Sequence, residues 1–150
     1  MKYPFLIIFF SLILGCTSTP PKDNSDYKRI VGRTVKIHNL EIAQFDFPYK
    51  LDWEDAKKSC ESLGAGWRLP NGDEFEILKR YRVKVGNFYD DLYWTSYEEE
   101  FIITDLDSSN SNELARYFSF NNQYKKGKSF YGENSSFKIN KFWVRAVRNF

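Results

Sequence analysis

Gly66-Trp67-Arg68-Leu69-Pro70 is the stretch whose reading decides the fold of this chain. Trp67 and Leu69 alternate with Arg68 as in a short strand with one buried face. Gly66 permits a tight turn into it, and Pro70, which has no amide donor, ends the pairing. The stretch is therefore a rigid corner. An arginine flanked by large apolar residues more often pairs with a carboxylate inside its own domain than with a ligand, so Arg68 is read as structural.

Helical patterns flank the corner. Asp52 is placed to cap a helix in which Trp53, Ala56, Cys60 and Leu63 recur at near-helical spacing, with Gly64 ending it and Lys57 and Lys58 facing outward. Asn71 and Glu74 have the spacing of a capping box for a second helix that turns Phe75, Leu78 and Tyr81 inward, and Gly86 marks the turn beyond. Residues 34–37 and 40–45 are β-prone runs joined at His38-Asn39. Residues 92–97, 101–104, 115–120 and 142–148 carry the aromatic and β-branched side chains of later strands. In the last of these, Phe142, Val144, Ala146 and Arg148 share one side and Trp143, Arg145 and Val147 the other. Both sides are substantially apolar, the pattern of a central strand.

Read in order, Gly66-Trp67-Arg68-Leu69-Pro70, Tyr93-Trp94-Thr95-Ser96 and Val144-Arg145-Ala146-Val147-Arg148, with the Trp- and Cys-bearing helix before them, resemble the DUF1566 family, also called the Lcl C-terminal domain. The resemblance covers residues 31–150. It implies an α+β, C-type-lectin-like fold, with two helices packed on a small, mainly antiparallel sheet with long loops, in one domain over 30–150. Many relatives carry Cys at the middle of the closing motif, where it would meet the helix cysteine. This chain has Ala146 there, so Cys60 reads as a buried free thiol.

Residues 1–15 stand apart from that domain. Lys2 gives a positive start, residues 5–14 are apolar except for Ser11, and Gly15 precedes Cys16. The run is too short for a membrane-spanning helix, which needs about 20 residues, and it resembles a bacterial lipoprotein signal peptide. In lipoproteins of that kind the cysteine receives a diacylglycerol and becomes the mature N-terminus, so Cys16 is the expected lipidation site and membrane anchor. Residues 17–29, rich in Thr, Ser, Pro, Lys and Asp, read as a solvated tether. Thr17 and Ser18 lack the acidic residue that retains some lipoproteins in the inner membrane, which favours an outer-membrane lipoprotein of the cell envelope, open to surface exposure.

Chemistry-bearing patterns are sparse. His38 is the only histidine, and nothing in the sequence supplies a nucleophile and an orienting carboxylate around it. One histidine and one free cysteine do not make a zinc site. The Glu-Pro-Asn, Gln-Pro-Asp and Trp-Asn-Asp triplets of calcium-dependent sugar-binding lectins do not occur, nor do the paired cysteines of the related formylglycine-generating enzymes. Asp105, Asp107 and Asn110 cluster without the glycine and terminal glutamate of an EF-hand loop. The expectation is a non-enzymatic protein with no catalytic residues, no metal, no cofactor and no nucleic-acid partner.

Binding has a better candidate. Residues 121–140 read as a long polar excursion between two strands, and long loops on rigid scaffolds are common binding sites. Tyr124 and Tyr131 offer flat amphipathic surfaces, Asn121, Asn122, Gln123 and Asn134 paired donors and acceptors, and Lys125, Lys126 and Lys128 charge; Tyr97 is expected nearby. The ligand class is a glycan or a protein. Between Val85 and Ala115 there are eight acidic and no basic residues, and from Arg116 onward eight basic residues against Glu133 alone. Such segments either neutralise each other in the fold or leave a basic face for polyanions. The sequence thus reads as a membrane-anchored lipoprotein with an adhesin- or receptor-like binding domain, the alternative being a periplasm-facing structural or assembly lipoprotein.

Overall fold

A computed structural model describes residues 24–99, 114–121 and 133–150. The signal run, Cys16, residues 17–23, the expected strand 101–104, the cluster of Asp105, Asp107 and Asn110, and the positions Asn122, Gln123, Tyr124, Lys125, Lys126, Lys128 and Tyr131 lie outside them.

The two expected helices form for the expected reasons. Asp52 accepts from the Asp55 amide at the start of α2, Trp53–Ser62. Trp53, Ala56, Ser59 and Cys60 make its buried stripe. The chain turns off the helix at Gly64, whose φ of 117° suits a residue without a Cβ. Asn71 and Glu74 close a full capping box on α3, Gly72–Arg80, which buries Phe75 and Leu78. Two further helices escaped the sequence reading. One is the single turn α4, Arg82–Val85. The other is α1, Asn24–Val31, so the later part of the expected tether is helical and runs into the domain at the buried Ile30 and Val31.

Among the described residues, six strands make two antiparallel three-stranded sheets. In the first, β1 (Val35–Ile37), β2 (Leu40–Ile42) and β6 (Val147–Asn149) lie in the order β1-β2-β6, with His38 turning the β1–β2 hairpin at φ 55°. In the second, β3 (Leu92–Glu99), β4 (Leu114–Ser119) and β5 (Glu133–Phe137) lie in sequence order. The polar excursion expected over 121–140 therefore contains a strand. Its Ser- and Asn-rich sequence has no β pattern of its own, and the backbone of β4 recruits it in register, Phe118 opposite Glu133 and Tyr117 opposite Asn134.

The closing run 142–148 is not one strand. Phe142 bridges Leu51, Trp143 bridges Tyr93, and only Val147 onward joins β2. Between them the Val144 and Ala146 carbonyls accept from the Phe47 and Ala43 amides, so the chain changes neighbours midway and no single ladder spans it. The alternation nevertheless survives as a division of the core. Phe142, Val144 and Ala146 pack with Trp53, Trp67, Trp94 and Leu69, whereas Trp143 and Val147 pack with Phe75, Tyr93, Phe118 and Phe120. Both faces are buried, as the residue pattern requires.

The Trp67 corner closes this arrangement. The Arg68 amide and carbonyl both bond to Val147, and Trp67 and Leu69 are buried. The Arg68 guanidinium grips Glu74 with two bonds of 2.7 Å, which confirms its structural role. Burial pushes the Glu74 carboxyl up, but the Arg68 bonds, the Asn71 amide and the Arg68 charge outweigh it and hold the group below its ordinary value. This contribution is complete above the ordinary pKa of 4.5 and disappears as pH falls through the lowered folded value. Arg68→Leu should therefore cost about 1–2 kcal/mol at pH 7, discounted for the partial exposure of Arg68, and the cost should shrink as pH falls below the ordinary carboxylate value and through the lowered folded one. Urea unfolding of both proteins across that range checks it.

Candidate functional site

The strongest electrostatic feature among the described residues is buried. Arg145 has no exposed side-chain surface, and its Nε donates to Asp46 Oδ1 at 2.5 Å. Its Nη1 reaches the carbonyls of Ala43, Gln44 and Gly86, and its Nη2 the carbonyl of Asn87 at 2.8 Å. The guanidinium also lies 4.1 Å from the centre of the Phe88 ring. Tyr93 donates its hydroxyl to the other Asp46 oxygen at 2.6 Å and accepts from the Tyr89 amide. Burial pushes the Asp46 carboxyl up against the pull of Arg145 and Tyr93. Burial and the neighbouring Asp46 charge push the Tyr93 phenol up, which keeps it a donor. Every polar group in the cluster has a partner, so it serves as a clamp rather than a proton-transfer site.

Above the clamp the surface is concave and aromatic. A cleft of about 540 Å³ is lined by Lys28, Arg29 and Ile30 of α1 and by Phe45, Pro48 and Tyr49. A second of about 350 Å³ lies across the same loop, against Asn87, Phe88 and Tyr89. Tyr89 stacks on Trp143 at 4.1 Å, and Trp143 donates to Asp91 at 3.2 Å. Burial pushes Asp91 up, but the Lys50 bond, the Leu92 amide, the Lys50 charge and Trp143 hold it below the usual carboxylate range. Asp91 also receives the Phe120 amide on its carbonyl, next to Asn121.

The expected site residues that are described do not form one patch. Asn121 follows β4 at the Leu92 end of the second sheet. Asn134 sits two residues into the same end on β5, opposite Tyr117. Tyr97 lies near the other end of β3, 41% exposed, with the Arg116 guanidinium 5.9 Å from its ring. The five strand rises from Arg116 to Asn121 put about 16 Å between Tyr97 and the first root of the late segment, whereas Asn134, at the second root, is opposite Tyr117, the neighbour of Arg116.

The charge segregation resolves partly into pairs. Glu99 of the acidic run pairs with Arg116, and Glu98 with Lys138, because the antiparallel ladder folds the basic run back over the acidic one. Lys138 is buried, with its ammonium 4.6 Å from the centre of the Trp53 ring. His38 packs edge-on against Tyr81, and no group of three or more metal-ligating side chains occurs among the described residues. Cys60 is buried with its thiol pushed up by burial and by Glu61, the environment of an inert sulfur.

No family model matches this chain, and no curated protein does. Solved structures do. The crystal structure of EMS16, an antagonist of the collagen receptor integrin alpha2beta1, is similar over 78% of this chain and 97% of its own, with a TM-score of 0.55 and 10% identity. Botrocetin is similar over 77% and 95%, with a TM-score of 0.53 and 12% identity. The fold is C-type-lectin-like. A complex of botrocetin with a mutant von Willebrand factor A1 domain gives the same match at a TM-score of 0.51 and 10% identity, over 78% of this chain and 96% of that one. At such identities the likeness carries the fold and nothing about ligands.

Within this lectin-like domain the clamp joins the 43–46 segment, the turn at Gly86 and Asn87, and the closing segment at one guanidinium. Asp46→Ala should destabilise it by about 3–5 kcal/mol, because it leaves Arg145 buried and uncompensated. Replacing both partners, Asp46→Leu with Arg145→Met, should not restore stability, since four carbonyls lose their donor. Recovery of wild-type stability by the pair in urea unfolding would show that the carbonyl contacts contribute nothing.

Proposed function

We propose that this chain is a DUF1566-type lipoprotein of the bacterial envelope, held in the outer membrane through lipid on Cys16, whose lectin-like domain binds a glycan or protein without chemical turnover. The observation that carries the binding assignment is the anchoring of both ends of the Asn-, Tyr- and Lys-rich segment. Phe118 and Glu133 face each other in a fixed antiparallel register, and Phe118 is stacked on Phe75 with Phe120 edge-on to both rings. Asn122, Tyr124, Lys125, Lys126, Lys128 and Tyr131 thus belong to a segment whose two roots are rigid, and rigid roots lower the ordering cost of recognition. Asn121 and Asn134 flank it. The similar structures are compatible with this reading, since one is described as an integrin antagonist and another in complex with an A1 domain. The dispersed polar chemistry of the described residues favours binding over turnover.

Binding to an immobilised sulfated glycan should fall steeply with salt and drop at least about tenfold when Lys125, Lys126 and Lys128 are all replaced by Ala. If salt and the triple change leave binding untouched, the lysines are not the contact. Cys16→Ala should abolish lipid labelling and release the protein from the membrane fraction. Protease added to intact cells should cut a surface-displayed domain, and full protection would place it on the periplasmic side as an assembly component.

A further inference from the structure

The cleft beside α1 has a composition that ligand recognition by the late segment does not use. Lys28 and Arg29 line it from α1, Arg33 is exposed just beyond, and Phe45, Pro48 and Tyr49 line it from the facing loop, where Asp46 also borders it with its carboxylate paired to Arg145. Phe45 is 41% exposed and Tyr49 37%. Cations in the last turn of a helix are explained by its dipole alone, but the dipole does not explain exposed aromatic rings facing them. The combination of basic side chains with Phe, Pro and Tyr at a protruding lip is that of a surface seated at the boundary between headgroups and hydrocarbon.

Position supplies the occupant. Only residues 17–23 separate Cys16 from the first residue of α1. Whatever their conformation these can reach no more than about 28 Å, so α1 begins within that distance of any lipid on Cys16 and its cleft is the part of the domain nearest the attachment. Gly32 shapes the wall: at φ 53° it turns the chain off α1, and a Cβ there would meet Gln44 Oε1 at 2.5 Å. The loop from Phe45 to Tyr49 runs beside the closing segment, on the flank of β3 opposite β4 and β5. A domain seated through this loop leaves the roots of the late segment on the other flank.

We infer that the α1 face, with Phe45, Pro48 and Tyr49 as its lip, docks the domain onto the anionic headgroups of the bilayer that holds its own anchor. The inference rests on the anchoring of Cys16 proposed above.

The test uses the full lipidated protein with Pro48→Cys, labelled there with a polarity-sensitive fluorophore; Cys60 is buried and does not compete. The protein is reconstituted into phosphatidylcholine vesicles with or without about 30% phosphatidylglycerol. Flotation with vesicles reports the anchor, and label emission reports docking, so the two can fail separately. Docking predicts a blue shift that requires phosphatidylglycerol and is lost in about 1 M salt, where the Debye length is about 3 Å. Lys28→Glu and Arg33→Glu should each lower the docked fraction relative to the undocked about fivefold or more while flotation is unchanged. Gln at the same positions, which removes charge without reversing it, should give a smaller loss in the same direction. A floating protein whose label shows the same emission in both vesicle types overturns the inference, as does a shift insensitive to both charge changes or one produced equally by soluble glycerol phosphate.

Discussion

A single guanidinium holds this domain's segments in one place. Arg145 lies in a stretch that belongs to no strand, yet it ties the 43–46 segment, the turn after α4 and the aromatic core to one another through five acceptors and a ring face. A buried arginine cannot shed its proton, so the surrounding chain must supply a counter-charge and carbonyls. Asp46 supplies the first, and Tyr93, by donating to Asp46, fixes the carboxylate on the far side. The cost of desolvating these groups is offset only in the assembled state, which couples the ordering of the loop that bears Phe45 and Pro48 to the folding of both sheets.

Around that clamp the closing segment divides the aromatic core. Its odd and even residues face different clusters, one built on three tryptophans from α2, the Trp67 corner and β3, the other on rings from α3, β3 and β4. Trp53 and Trp94 each place an indole N–H on a main-chain carbonyl, of Thr95 and Leu51, so large rings are buried without unpaired donors. Trp67 is the exception, its N–H buried without a protein partner while Arg148 lies over its ring. These large rings supply much of the core volume, beside the buried Ile, Leu and Val side chains.

The functional consequence is a division between framework and periphery. Among the described residues, several charged groups of the framework are used in pairs: Lys50 with Asp91, Arg68 with Glu74, Arg116 with Glu99, Lys138 with Glu98 and Arg148 with Glu41. The periphery is aromatic, concave and basic at the clefts flanking the 45–49 loop, and polar at the ends of β4 and β5. Those two regions sit on different flanks of β3, which allows one to address a membrane and the other a ligand.

The sequence by itself determined the local decisions. Asp52, Asn71 and Glu74 announced their helices because caps act within one turn of chain, and Arg68 announced an internal partner because a charge between two large buried apolar residues has few alternatives. The alternation in 142–148 was legible as burial on both sides, though not as a break in pairing. Tertiary structure alone decided the rest. It brought Asp46 to Arg145 across 99 residues, placed Tyr97 and Asn121 at opposite ends of one sheet, and made a strand of Glu133–Phe137, whose residues carry no β signal. In each case the deciding energy is a contact between distant segments, and such a contact leaves no mark on the spacing of neighbours.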